Sequence, residues 1–340
     1  MDPLDPACRQ PDGVSSPADR RRALAAAAAY LRCPVCDGPL HLGGGRLACG
    51  RDHSFDIARH GYVNLTAGRA GPGTADTSTM VAARDRFLRR GHYQPIAVAL
   101  QSLAARHDPG VPGLVADLAG GTGYYLAGIL DALPHRPGAC IDLSVPALRR
   151  AARAHPRGAA LGADVWQPLP LADGSAALAL SIFGPRNATE TGRILIPGGT
   201  LIIAAPGVGH LRELQRPLGT IGIDQGKPRR LVGAYRDYTR SGVTTVNYRL
   251  SLDHADLTAL VSMGPSARHT TQQTLAARIR SLPSPFTVTV DLHITVFQRP
   301  IDLDLRTKSS LTKDGSVPRV NRNGRLWLRL HSGPIHRAGH

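Results

Sequence analysis

The chain has 340 residues and a mass of 36.1 kDa, with 41 Lys and Arg against 25 Asp and Glu, a formal charge of +16 and a pI near 10.6. That length holds about two domains, whose core must come from Ala, Val, Leu and Ile because aromatic residues are only 4%. No apolar run nears the roughly 20 residues that span a bilayer, the apolar share argues against bulk disorder, and the charge calls for a polyanionic partner.

Residues 1–30 read as a leader, disordered at first and then helical. Arg20-Arg21-Arg22 ahead of Ala23–Leu31 imitates a twin-arginine signal, but the apolar stretch is short and Arg32 closes it, so a helix is the better reading. Cys8, Cys33, Cys36, Cys49 and Cys140 are odd in number, which excludes a secreted disulfide scaffold and points to a reduced, cytoplasmic protein.

Residues 31–65 carry Cys33-x2-Cys36-x12-Cys49-x3-His53. Two tight turns, each offering a pair of ligands, suit the tetrahedral demand of zinc, and four protein ligands close the site. The expectation is structural zinc in a small zinc-ribbon module with almost no core of its own, folded by its metal. A redox CxxC beside an unrelated Cys49 and His53 is the alternative, which the spacing disfavours. Residues 66–107 are a linker followed by helical spacing, with Arg84, Arg86, Arg89 and Arg90 forming a basic face suited to RNA.

From 108 to 300 strand and helix patterns alternate, the signature of an α/β domain. Strands are predicted over 114–118, 139–143, 159–163, 177–183 and 200–204, with a Pro197-Gly198-Gly199 turn before the last. The stretches 244–250 and 287–297 alternate apolar and polar residues and predict an antiparallel pair appended to a parallel sheet. Residues 301–340 form a basic tail without periodicity, expected to be disordered.

The stretch Asp117-Leu118-Ala119-Gly120-Gly121-Thr122-Gly123-Tyr124-Tyr125 is a strand end, a glycine-rich turn and a helix start. Ala119, Gly121 and Gly123 bring backbone close to a ligand, and Asp117 is placed to take an amino group or water. Asp142, 19 residues beyond Gly123, suits the ribose hydroxyls of an adenosine, and Asp164 with Val165 suits adenine. Three acids at successive strand ends favour an adenosyl ligand, and the lack of Gly-Lys-Ser/Thr disfavours ATP hydrolysis. The loop alone leaves nicotinamide open. Asp164 also reads as a turn residue. Tyr124 and Tyr125 either wall the cofactor or pack the helix.

Together these residues resemble the 23S rRNA guanine-N1-methyltransferases, and the tylosin/mycinamicin-resistance branch in particular. The resemblance covers about residues 30–300. It rests on the Cys3His module, His53-Ser54-Phe55-Asp56, Gly61-Tyr62-Val63-Asn64-Leu65, Asp76, Met80, Arg84, Gly91-His92-Tyr93-Gln94-Pro95, Asp164-Val165-Trp166, Phe183-Gly184-Pro185-Arg186-Asn187, His210-Leu211, Glu213-Leu214 and Met263-Gly264-Pro265-Ser266. Ala119 in place of the first loop glycine and Gly192 inside a short helix depart from expectation, and the tail has no counterpart.

The resemblance implies a class I S-adenosylmethionine-dependent methyltransferase fold, Rossmann-like with a seven-stranded sheet. It implies methylation of a guanine in hairpin 35 of 23S rRNA, with a homodimer presenting the RNA-binding cleft. N1 of guanine carries a proton and lies on the pairing edge, so a base is needed and the nucleotide must be unpaired or flipped. His92 and Asp76 are candidate bases. Arg186 is a candidate contact to the target. His210 belongs with the cofactor set and is a third candidate base. A small-molecule methyltransferase of antibiotic biosynthesis and a non-catalytic zinc-dependent RNA-binding protein are the competing readings.

Overall fold

In the computed structural model, which describes residues 15–68, 75–219, 231, 233–264 and 271–301, the chain opens on α1 (Pro17–Ala28). Ser16 caps it: its hydroxyl accepts the Asp19 N–H while the Asp19 carboxylate accepts the Ser16 N–H, and Pro17 pre-sets the first turn. Four short strands follow: β1 (Leu40–Gly43), β2 (Arg46–Cys49), β3 (Ser54–Asp56) and β4 (Tyr62–Asn64). Next come α2 (Ser78–Arg89), capped by the Thr77 hydroxyl, and α3 (Gln94–Arg106). The alternating part is β5 (Leu114–Leu118), α4 (Tyr124–Ala132), β6 (Gly138–Asp142), α5 (Val145–Ala154), β7 (Gly158–Gly162), β8 (Ala176–Ile182), α6 (Ala188–Ile194) and β9 (Leu195–Pro206). It closes with α7 (Gln215–Leu218), β10 (Thr239–Leu252), α8 (His254–Ser262), α9 (Gln272–Arg280) and β11 (Phe286–Gln298).

The main sheet has the order β10-β11-β9-β8-β5-β6-β7-β4. Without β4, and counting from β5 as the first strand, this is 3-2-1-4-5-7-6 with only β11 antiparallel to its neighbours. This is the expected seven-stranded class I methyltransferase sheet. The appended antiparallel pair is β10 with β11, in register from Thr239–Gln298 to Leu252–Phe286. An eighth strand is added at the edge, because β4 pairs in parallel with β7 just after the small β1-β2-β3 sheet ends. The Pro-Gly-Gly turn lies inside β9, where pairing to β8 jumps from Leu195 to Thr200 and Gly198 takes a positive φ.

Alternation along β5 splits the core into two layers. Val115 faces Leu100, Leu126, Ile129 and Leu148 of the central helices. Leu114, Ala116 and Leu118 face the other way, in one buried cluster with Leu24, Leu31, Leu40, Leu47 and Ile194. The crossover from β7 to β8 carries no helix, although such crossovers usually do. The helix α1 covers that layer instead. Its exit is stitched to the crossover: Ala172 N–H donates to Tyr30, Arg32 N–H donates to Pro170, and Leu31 bridges Leu171. The leader read from sequence thus contributes core. The ribbon likewise borrows its core from the sheet, with Leu40 and Leu47 fully buried against it.

Gly192 sits in α6, where a Cβ would come 3.1 Å from the Tyr238 hydroxyl and where its carbonyl accepts from Arg299. The weak helix former there clears space for that pair. No helix among the described residues is long and apolar enough to cross a membrane. The described residues, Ile301 apart, belong to a unit spanning 1–300; the disorder expected of the leader's start and of the tail falls on residues 1–14 and 302–340, outside the described residues, as do 69–74 of the linker and Pro265-Ser266.

Candidate functional site: a zinc ribbon beside a cofactor loop

The turn before β1 supplies Cys33 and Cys36, and the end of β2 with the turn after it supplies Cys49 and His53. Their four ligand atoms lie within 4.8 Å of one another. Cys36 Sγ is 3.6 Å from Cys49 Sγ, and Cys49 Sγ is 3.4 Å from His53 Nδ1. Zinc–sulfur bonds of about 2.3 Å set tetrahedral edges of roughly 3.8 Å between sulfurs and about 3.5 Å from sulfur to nitrogen. The donor set fits zinc, which His53 would hold through Nδ1. Burial works to raise the Cys49 thiol, but the Arg51 N–H and His53 outweigh it and bring it down to about 6, toward the thiolate that metals take.

The glycine loop joins β5 to α4. Ala119, Gly121 and Gly123 all have positive φ, at 57°, 59° and 75°. A Cβ on Gly120 would fall 2.5 Å from Asp117 Oδ2 and 2.7 Å from Cys140 Sγ, so only glycine lets the loop cross the Asp117 carboxylate. Asp142 secures the loop from the next strand: Oδ2 accepts the Gly121 N–H at 2.9 Å and Oδ1 accepts the Ser144 N–H at 2.8 Å. Each oxygen keeps a further lone pair for a ribose hydroxyl. Burial raises its carboxyl. Asp164 accepts the Trp166 N–H in a local turn, and Asn187 donates to the Val165 carbonyl. Both of the weighed roles of Asp164, turn residue and adenine contact, remain compatible with that position.

Asp117 is buried with neither oxygen partnered among the described residues. A cationic amino group above the loop would satisfy it, and the residues present therefore fit S-adenosylmethionine. Burial first, and the Asp142 carboxylate second, push Asp117 up to about 7. The folded state thus holds this proton more tightly than the unfolded chain, whose reference value is 3.8. Stability from this group is full below about pH 4, declines as pH rises toward 7 and levels off above. Urea unfolding of cofactor-free protein should show about 3 kcal/mol less stability at pH 8 than at pH 5 from this group. Asp117→Asn should remove that difference; an unchanged pH profile would refute the assignment.

Ala119 occupies the left-handed region, where a Cβ costs about 1–2 kcal/mol. Ala119→Gly is expected to raise stability by up to about 1 kcal/mol, once the freer unfolded chain is counted, without weakening cofactor binding. Thermal unfolding and calorimetric titration of cofactor check both parts.

Beside the loop lies an aromatic recess drawn from four distant segments. Tyr93 stacks on Phe183 at 6.0 Å, Phe183 is 6.2 Å from His210, and Tyr125 is 6.4 Å from Phe183. Phe183 follows the last residue of β8 with φ 58° and is 39% exposed. Gly184 next to it packs on the Leu118 carbonyl and Ala119, so the recess adjoins the loop. The Tyr125 hydroxyl is buried and unpartnered among the described residues. His210 Nδ1 accepts the Asp291 N–H, which leaves the proton on Nε2 in the neutral ring, and burial lowers it to about 4. Asp291 also accepts the Gly209 N–H and so braces this loop. Tyr124 packs edge-on against Tyr125.

The remaining candidates are more dispersed. Asp76 pairs with Arg84 at 2.5 Å, and its carbonyl accepts from the Ser144 hydroxyl, so it stands at the rim of the Asp142 site. Arg84 approaches Gly121 and also donates to the Met263 carbonyl. His92 Nε2 lies 2.9 Å from Asp256 Oδ2, though not aligned for a hydrogen bond, and its ring packs on Phe87. Phe87 in turn meets Tyr93 edge-on, so His92 reaches the recess through the rings of Phe87 and Tyr93. Arg186 is half-buried beside Tyr235, pairs with no carboxylate among the described residues and leaves Nε unpartnered.

Sequence reasoning treated Phe183 and Tyr93 only as carriers of a resemblance, and Arg84 as such a carrier and as part of an RNA face. The available signal was an exposed aromatic ending an otherwise apolar strand next to the loop strand.

Comparison with known proteins completes the picture. A family model described as "RlmA, N-terminal", a zinc ribbon, matches residues 31–67. A protein of Micromonospora griseorubida assigned to the 23S rRNA (guanine-N(1)-)-methyltransferases is 45% identical over 290 residues, covering 80% of this chain and 98% of its own. The 23S rRNA (guanine(748)-N(1))-methyltransferase of Streptomyces fradiae is 45% identical over 269 residues, covering 78% and 96%. Among solved structures, YcgJ of Bacillus subtilis aligns with a TM-score of 0.42 and 12% identity over 59% of this chain and 98% of its own. The chain belongs to the family of the 23S rRNA (guanine-N1)-methyltransferases.

Proposed function

We propose that the protein transfers a methyl group from S-adenosylmethionine to N1 of a guanine in hairpin 35 of 23S rRNA, in the cytoplasm, and so protects its host from macrolides such as tylosin or mycinamicin. Family membership supports the chemistry. The observation that carries the site is the aromatic recess opening beside the glycine loop, with flat faces for an extruded base and polar groups for its edge.

The cofactor supplies an electrophilic methyl on its sulfonium. In this reading Asp142 holds the ribose, Asp164 and the Val165 backbone meet the adenine, and Asp117, beneath Ala119, Gly121 and Gly123, compensates the amino group. Tyr124 and Tyr125 wall the loop side. Phe183, the exposed ring of the group, stacks on one face of the guanine in place of a lost neighbour, and the buried Tyr93 backs that ring. His210, neutral and protonated on Nε2, is a donor suited to the guanine carbonyl rather than a base. Asp76 is engaged by Arg84 at the rim of the Asp142 site. His92, 2.9 Å from Asp256, is the acceptor proposed for the N1 proton. Arg186 guides the nucleotide toward the recess. The homodimer with its RNA cleft is part of the proposal.

The test is primer extension on 23S rRNA treated with protein and cofactor. Methylation at N1 blocks pairing, so reverse transcriptase stops one nucleotide short of the target. A cofactor-dependent stop in hairpin 35 is the expected result. Cofactor binding with no stop would overturn the N1 assignment and favour a small-molecule substrate.

A further inference from the structure

The turn between β3 and β4 folds back onto α1 and the end of α5, and arginines converge there on His60. Arg153 Nη2 lies 2.8 Å from His60 Nδ1, Arg59 Nε lies 3.2 Å from His60 Nε2, and Arg20 Nη1 donates to the His60 carbonyl at 2.9 Å. Arg149 adds its charge to the same group. None of these four arginines pairs with a carboxylate among the described residues. This contrasts with Arg150, one residue along the helix from Arg149, which pairs with Asp85.

The arrangement is unsatisfied in a telling way. A neutral imidazole has one nitrogen that accepts and one that donates. Only one of the two guanidinium contacts to His60 is therefore a hydrogen bond, and the other sets N–H against N–H. Arg149 and Arg153 are four residues apart on one helix face, where like charges repel. Folding alone gains nothing from gathering these charges. A hollow of about 240 Å³ adjoins them, lined by Pro17, Arg20, Arg21, Ile57, Arg59 and Gly61 among others.

We infer that Arg20, Arg59, Arg149 and Arg153, gathered around His60 at the junction of ribbon, α1 and α5, form a docking site for the phosphodiester backbone of RNA. Fork-shaped guanidinium groups suit phosphate oxygens, and phosphate contacts fix the register of a substrate without reading its sequence. The site deepens the proposed rRNA methylation. It lies at the far end of α5, whose N-cap is Ser144, beside Asp142. At 1.5 Å of rise per residue, Ser144 and Arg153 are about 14 Å apart along the helix axis, so one RNA hairpin can touch the patch while presenting a base to the recess. The ribbon thereby acts as a measured distance marker, seated on the sheet edge by β4.

The experiment measures binding of the full-length protein to a transcript of hairpin 35 with its flanking helices over a range of salt concentrations. The variant Arg59→Ala/Arg149→Ala/Arg153→Ala changes exposed side chains only. Each lost phosphate contact should flatten the log–log salt dependence by about 0.7–0.9, so the triple variant should lose roughly two to three units of slope. Its affinity at moderate salt should fall by at least about ten-fold, with cofactor affinity and melting temperature unchanged. Arg149→Lys/Arg153→Lys should restore most of the slope. An unchanged slope and affinity in the triple variant would overturn the site, even where the wild type methylates the transcript. A slope that falls in a protein that methylates no rRNA would sustain the docking site while the enzymatic reading failed.

Discussion

Removing zinc is expected to unfold far more than the ribbon. Chelator treatment, or Cys49→Ala, should lower the melting temperature of the whole 1–300 unit by more than about 10 °C and abolish methylation. The reasoning starts from the donor set, whose ligand atoms lie at tetrahedral edges. Binding to such a site contributes on the order of 10 kcal/mol to folding of an isolated zinc module. Here the module is not isolated. Leu40, Leu47 and Cys33 share one buried cluster with Leu24 of α1 and Leu161 of β7. Losing the metal releases β1 and β2, and their departure uncovers the layer that α1 closes. At about 2–4 °C per kcal/mol for a domain of this size, even a 5 kcal/mol share of the zinc energy is visible. Calorimetry with metal analysis checks it: one zinc per chain and a single transition that shifts with the metal. A chelated protein with an unmoved transition would show that the ribbon folds independently of the sheet.

The central strands were legible because parallel strands buried on both faces are written as apolar runs, and Leu114–Leu118 and Ala176–Ile182 are both buried throughout. The metal ligands were legible because both pairs are local in sequence. Contacts of long range left less trace. Nothing near Tyr30 announces that its carbonyl meets Ala172, or that α1 replaces the helix missing from the β7–β8 crossover. The addition of β4 to the sheet edge depends on β7, about a hundred residues later. The aromatic recess is the extreme case. Tyr93, Tyr125, Phe183 and His210 come from four segments and share no spacing. Each alone reads as a packing residue, and only the topology that sets β8 between β5 and β9 brings them together.

That recess makes the sharpest demand on the proposed chemistry. Phe183→Ala should cut kcat/KM for rRNA roughly 5- to 150-fold, because stacking a base on an aromatic face is worth about 1–3 kcal/mol, while calorimetric cofactor affinity holds. The backbone helps the design of this variant. Phe183 sits at φ 58°, strained for any residue with a Cβ, so alanine brings no new strain and the protein should stay folded. Its side chain is partly exposed, which makes the loss of core packing small. Phe183→Trp should keep most of the activity, since any flat face serves, whereas Phe183→Leu should not, although it fills nearly the same space. If the ring instead served only to pack Tyr93 and His210, leucine would rescue, and the variants would differ in melting temperature rather than in turnover. Combining Phe183→Ala with Tyr93→Ala separates the cases further. Tyr93 acts on the base through the Phe183 ring it backs, so the double variant should lose less than the product of the two single losses in RNA turnover. Strict additivity would mean that Tyr93 does not act through the Phe183 ring.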